Sequence, residues 1–338
     1  MRATRLVSVA ASVIAACSVL ALSGGTAGAA PSSTSVDPVG SGPVQTAFRT
    51  AATYPHPEAI PPGANDWSCK PSAEHPRPVV LVHGTWESAY QTWAALAPKL
   101  KAQGFCVFAP NVGILSAQQG GGIQSLQNGG QYGAGPVAQS AVQLGAFVDR
   151  VLAATGAKQV DMVGHSQGGT MIRQYLKFDG GADAADPSKN KVRKVVTLVA
   201  TNHGTTSNGL SSVRDALNAL HLDSNAFMIP VAGYAGTDQQ VGSPFITALN
   251  KGGDTFSGID YTVLSTRYDE YTTPYYLTFL KAGPGATVHN ILVQDGCEQD
   301  ITDHTTFTYD PRVISYTERA LGISTPVVCA PRAWYFDN

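Results

Sequence analysis

Gly164-His165-Ser166-Gln167-Gly168-Gly169 sets a serine between glycines, one two residues before it and a pair beginning two residues after it. This spacing suits a serine carried on a very tight turn, where side chains at the flanking positions would collide with neighbouring chain. A hydroxyl held in that way can attack an acyl carbon if a base takes its proton and a carboxylate orients the base. The apolar run 160–163 precedes the turn, and a stretch of helical spacing with Met171, Tyr175 and Leu176 follows it. Strand before and helix after is the context that makes G-x-S-x-G informative, because the start of the helix then faces its partial positive charge toward a developing oxyanion.

On folds that carry this turn, the acid and then the base follow the serine in chain order. Asp269 stands four residues after an apolar run ending at Ser265, and His304 lies beyond a run ending near Val293, so both are expected at strand ends. His203 competes for the base role but precedes the acid; Asp303, Asp295 and Glu270 compete for the acid role, with Asp303 too near His304 in sequence to reach its Nδ1. His56, His75, His165, His221 and His289 read as surface or packed residues. A tetrahedral intermediate needs two N–H donors. Gln167, after the serine, is expected to give one, and Thr85, in His83-Gly84-Thr85-Trp86, the other. Trp86, Tyr90, Tyr268, Tyr271, Tyr275 and Phe307 flank these loops and are expected to line an apolar acyl groove. No His/Asp/Glu cluster has ligand spacing, so neither a metal nor a cofactor is expected.

Such residues need a frame. Short β-branched runs at 78–82, 106–109, 160–163, 195–199, 261–265 and 288–293 alternate with helical spacings, which predicts an α/β architecture with a six-stranded, mostly parallel sheet. Nearly all the runs are continuously apolar, as for strands covered on both faces. Pro136 opens a helix with Val137, Ala141, Leu144, Val148 and Val151 on one face, and Asp310-Pro311 opens a last helix that Gly322 ends. Residues 111–135 form one long loop. Residues 201–259, after the fourth strand, form a longer insertion with helical patterns at 213–221 and 244–250, which would act as a lid or narrow a groove.

The 338 residues are 43% hydrophobic and 14% charged, which excludes a solvated coil, and a net charge of -2 without a basic stripe argues against nucleic acid as a partner. Residues 1–29 have a positive start, an apolar run and Ala27-Gly28-Ala29, the pattern of a secretory signal peptide. Ile14-Ala15-Ala16-Cys17 offers a lipoprotein cleavage box as a rival reading. Residues 30–66, rich in Pro, Ser, Thr and Gly, are expected to be an extended lead-in, with the catalytic domain over 67–338. Cys69, Cys106, Cys297 and Cys329 remain after export, an even number that fits two disulfides in an oxidising compartment. Three pairings are open. Cys69 with Cys106 and Cys297 with Cys329 would close the shorter loops.

Together these motifs resemble the secreted bacterial lipases and esterases of the α/β-hydrolase fold, most closely the class 2 lipases and actinobacterial extracellular lipases. The likeness covers about residues 67–322. It rests on Val79-Val80-Leu81-Val82-His83-Gly84, on Val151-Leu152 and Thr155-Gly156-Ala157, on Val160-Asp161 through Gly169, on Lys194-Val195-Val196-Thr197-Leu198 and on Asp303-His304. It implies an extracellular carboxylic ester hydrolase with Ser166, Asp269 and His304 as triad and Thr85 and Gln167 as oxyanion donors. It further implies a lipid or short-chain ester as substrate, transient contact with a lipid–water interface, and a monomer. Polyester depolymerases and acyltransferases share the turn, and a non-catalytic binding module is the reading from another class. Gly164 replaces the alanine of small members, and the 201–259 insertion is larger than theirs.

Overall fold

The computed structural model describes residues 37–334. The apolar leader with Cys17 lies outside them. The six strands are β1 Val79–Val82, β2 Val107–Phe108, β3 Val160–His165, β4 Val192–Leu198, β5 Asp260–Ser265 and β6 Thr287–Leu292. They form one sheet in the order β2-β1-β3-β4-β5-β6, and every neighbouring pair is parallel. The helices are α1 Phe48–Ala52, α2 Ala89–Trp93, α3 Leu96–Ala102, α4 Val137–Thr155, α5 Gln167–Phe178, α6 Leu210–Ala219, α7 Ser224–Asp238, α8 Pro244–Asn250 and α9 Pro311–Leu321.

Side chains alternate across a strand, so each buried strand feeds two cores. Val79 and Leu81 pack with Leu96 and Leu100 of α3 and with Val313 and Leu321 of α9; Val80 and Val82 pack with Leu144 and Val148 of α4 and with Met171 and Ile172 of α5. Asp310 caps α9 by accepting the N–H of Arg312 and Val313, and Gly322 closes it at φ 108. The expectation of strands covered on both faces fails at β6. Only β5 pairs with it, and Thr287, His289 and Asn290 are exposed, as suits an edge strand.

The 30–66 stretch also departs from expectation. From Asp37 onward it belongs to the body and includes a short helix, α1. Ala51, Ile60 and Ala64 are buried, and Asn65 bridges both main-chain groups of Ala109. Disulfide Cys69–Cys106 ties its end to the start of β2, and Cys297–Cys329 ties the loop after β6 to the final residues. These are the two shorter-loop pairings. Among the described residues, no helix is long and apolar enough to cross a membrane.

The insertion after β4 holds α6, α7 and α8, of which α7 has no counterpart in the expected pattern. Pro230 lies inside it, and at Gly233 (φ 68, ψ 172) the helix kinks. The segment beyond the kink is fastened to the body: Tyr234 N–H donates to Gly120 O (3.0 Å), and Asp238 accepts the N–H of Val137 (2.9 Å).

Candidate active site

The strand order reverses between β1 and β3, and open α/β sheets bind ligands at such a point, beyond the carboxyl ends of the strands. Register pairs Val82 with Gly164, which sets the loop after β1 beside the turn after β3. Ser166, in the left-handed region at φ 52, ψ -124, is the residue before α5, and its N–H donates to Leu198 O. The glycines are sterically obligatory here. A Cβ on Gly164 would lie 2.5 Å from Gly169 N, and one on Gly168 would lie 2.2 Å from Val82 O.

The loop after β6 returns His304 to this turn. Its Nε2 lies 2.9 Å from Ser166 Oγ, and its Nδ1 lies 2.9 Å from Oδ1 of Asp269, on the loop after β5. Asp269 Oδ1 also accepts the N–H groups of Tyr271 (2.9 Å) and Thr272 (2.6 Å), which fix the carboxylate. With Nδ1–H donating to Asp269, the Nε2 lone pair is left to accept the serine hydroxyl. Burial pulls the His304 imidazole down, but the charge and hydrogen bond of Asp269, with the charges of Glu270 and Glu87, outweigh it and push it up to about 9.

Glu270 accepts the main-chain N–H of His304 (3.0 Å) and the hydroxyl of Thr305 (3.1 Å), and burial pushes its carboxyl up. Glu87 accepts from His165 Nδ1 (3.0 Å) and Thr92 Oγ1 (2.9 Å). Burial opposes the Glu87 charge, yet the charge and hydrogen bond of His165 hold its carboxyl below the usual range. Of the competing residues, Glu270 reaches the main-chain N–H of His304 rather than its ring, and the others are bonded to other partners. His203 pairs with Asp254, Asp303 accepts from Thr306, and the Asp295 carbonyl accepts from Arg312.

Thr85 and Gln167 are drawn together by side chains. Gln167 Nε2 donates to Thr85 Oγ1 (3.1 Å) and Gly133 O (3.0 Å), while Gln239, at the end of α7, donates to the same Thr85 oxygen (2.8 Å). Gln167 is the first residue of α5, so its main-chain N–H has no intrahelical acceptor. A cavity of about 460 Å³ opens over Ser166 and His304. Trp86, Ile123, Val231 and Ala232 give it an apolar side; Thr201, Thr205, Asn208 and Glu270 give it a polar one.

Of the six expected groove aromatics, Trp86 and Tyr271 line this cavity. Tyr90 and Phe307 are fully buried, and the Tyr90 hydroxyl donates to Pro43 O. Tyr275 packs edge-on to Tyr276 and Phe279, and the carbonyl of Tyr268 accepts the indole N–H of Trp334. Neighbourhood in sequence gave these residues their place but not their direction. Glu87, Ile123, Val231 and Gln239 were not singled out. A carboxylate two residues after Thr85 was the one visible signal among them.

A family model described as lipase (class 2) matches residues 76–310. The chain belongs to the class 2 lipases. Two triacylglycerol lipases, from Pseudarthrobacter phenanthrenivorans and Burkholderia plantarii, are each 36% identical to it over 101 residues, 28% of this chain. That match covers 27% and 24% of their lengths, so the chain spans about a quarter of these relatives. Aspergillus fumigatus lipase B superposes with a TM-score of 0.56 at 18% identity, over 87% of this chain and 65% of that one. The α/β-hydrolase fold is therefore common to this class 2 lipase and that enzyme.

Proposed function

We propose that the chain is a secreted carboxylic ester hydrolase, a lipase acting on acylglycerol-type esters through a Ser166-His304-Asp269 triad. The observation that carries this reading is the unbroken line of contacts, 2.9 Å from Ser166 Oγ to His304 Nε2 and 2.9 Å from His304 Nδ1 to Asp269. Ser166 Oγ adds to the ester carbonyl as its proton passes to Nε2, and the resulting oxyanion takes the main-chain N–H groups of Thr85 and Gln167. The C–O bond to the alcohol then breaks, and His304 returns the proton to the leaving oxygen. Water, deprotonated by the same Nε2, opens the acyl-enzyme and frees the acid and Ser166.

Family membership and the names of the relatives support an ester substrate. Contact with a lipid–water interface is supported by apolar side chains at the mouth: Ile123 and Val231 line the cavity yet are 59% and 46% exposed, with Phe227 and Leu126 exposed nearby. On this reading the 201–259 insertion acts as a lid or narrows the groove of the 67–338 catalytic domain. Export through the 1–29 signal is supported by the two disulfides.

The test is reaction with a fluorophosphonate, mass-spectrometric location of the adduct, and hydrolysis of p-nitrophenyl butyrate and palmitate. Labelling at Ser166 is expected, with loss of about a million-fold in kcat for Ser166→Ala and folding intact. Labelling elsewhere defeats the triad and means another nucleophile; no labelling defeats it and favours a binding module. Faster turnover of palmitate than butyrate is expected of a lipase; the reverse order makes the protein a short-chain esterase.

A further inference from the structure

His304 is held by more than its ring. The residue directly before the nucleophile, His165, is 1% exposed, and its two ring nitrogens both face acceptors: Nδ1 lies 3.0 Å from Glu87 Oε2, and Nε2 lies 3.1 Å from the main-chain carbonyl of His304. The two imidazole rings sit 5.1 Å apart. Gly84 makes room for His165 and Glu87, since a Cβ there would come within 3.0 Å of His165 Nδ1 and 3.1 Å of Glu87 Oε2.

A closed circuit results. Ser166 is bonded covalently to His165; His165 Nε2–H donates to the His304 carbonyl; and His304 Nε2 accepts from Ser166 Oγ. Residues 139 positions apart are thereby tied next to the bond at which they must cooperate. Glu270 holds the opposite side of the same peptide segment through the His304 N–H.

We infer that Glu87 and His165 form a positioning pair for the proposed base, with His165 fixing the His304 loop through its carbonyl and Glu87 fixing His165 while adding negative charge behind the imidazole. This rests on the triad reading above. The charged and titratable groups around His304 are Asp269, Glu270 and Tyr271, whose ring lies 5.2 Å away, from the loop after β5, Glu87 from the loop after β1, His165 at the end of β3, and Asp303 on its own loop. His83 lies behind Glu87; its buried ring donates from Nδ1 to Gly84 O and accepts the Val112 N–H, and burial pulls its imidazole down.

The test compares the full chain with His165→Leu, His165→Gln and Glu87→Gln on p-nitrophenyl butyrate. His165→Leu is expected to lower kcat about a hundredfold with KM unchanged, because the base is displaced while the cavity is not. His165→Gln, whose amide can still donate to the His304 carbonyl, should recover most of that loss. Glu87→Gln keeps an acceptor for Thr92 and removes one charge that favours the imidazolium, so the midpoint of the kcat/KM profile should move to lower pH. A full kcat in folded His165→Leu overturns the inference, as does an equal loss in the Gln variant. If the Leu variant does not fold, Glu87→Gln decides, and an unmoved midpoint overturns the pair. An unsubstituted chain that neither hydrolyses ester nor labels at Ser166 defeats the triad reading itself, whereas an active, labelled chain with indifferent variants defeats the pair alone.

Discussion

Around Ser166, a Cβ on Gly164, Gly168 or Gly169 would come within 2.2 to 2.6 Å of another atom, while one on Gly209, at the start of α6, would meet nothing within 4 Å. The turn is held by β1, β3, β4 and α5 at once. The helices α6 and the first half of α7 instead present exposed Val213, Leu220, Phe227 and Val231. Two kinds of glycine therefore serve two purposes. In the turn, glycine lets chain segments approach to a distance that fixes a hydroxyl; at Gly209 it supplies a left-handed bend and little else, while Gly233, at the α7 kink, again serves close approach, since a Cβ there would lie 2.5 Å from Gly121 O. The proposed chemistry belongs to the first region, and the proposed contact with acyl chains to the second.

The largest effect that would break this contrast is expected at Gly168. Gly168→Ala drives a methyl into the carbonyls of Val82 and His83, so the turn must shift; we expect a loss of about 3 kcal/mol or more in unfolding free energy and a large fall in kcat. A stable, active variant by thermal unfolding and turnover would show that the turn yields. Next in size is pH. His304 must be neutral to accept the serine proton, and the surrounding carboxylates push it up to about 9, so kcat/KM should fall about tenfold for each pH unit below that value. The sign for stability is opposite: a raised imidazole stabilises the native state fully below about 6.5 and ceases to do so as pH climbs through about 9. A flat profile between pH 7 and 9 would remove the carboxylate ring from the account. Smaller still is the cavity mouth. Ile123→Ser with Val231→Ser should cost about tenfold in kcat/KM on palmitate and little on butyrate, as expected from losing two half-buried apolar side chains. Gly209→Ala should cost only about 1–2 kcal/mol, from its φ of 106 alone.

Legibility in sequence follows the same division. The six strands and the helices α4 and α9 were visible because continuous apolar runs, helical spacing, Asp-Pro starts and glycine stops are local signals. Ser166 was visible for the same reason, since the glycines its turn requires all lie within six residues, although the chain they make room for, at Val82, His83, Thr197 and Ala200, does not. Asp269 and His304 could be placed by chain order after recognised strands. What escaped depends on contacts across the chain. The His165 bond to the His304 carbonyl spans 139 positions, and Gln239 reaches Thr85 across 154. α7 was hidden because Pro230 and Gly233 break the helical signature inside it, and α1 because it sits in a stretch whose composition reads as coil. The edge position of β6 was hidden because an apolar run does not say how many neighbours a strand has.

The kink at Gly233 leaves a natural seam. Tyr234, Asp238 and Gln239 beyond it are bolted to the body, whereas the greasy outer piece before it carries the side chains that would meet an acyl tail. A protein engineer could swap 210–232 as one cassette, leaving the inner stub in place, and thereby retarget such a hydrolase without redesigning its reacting groups.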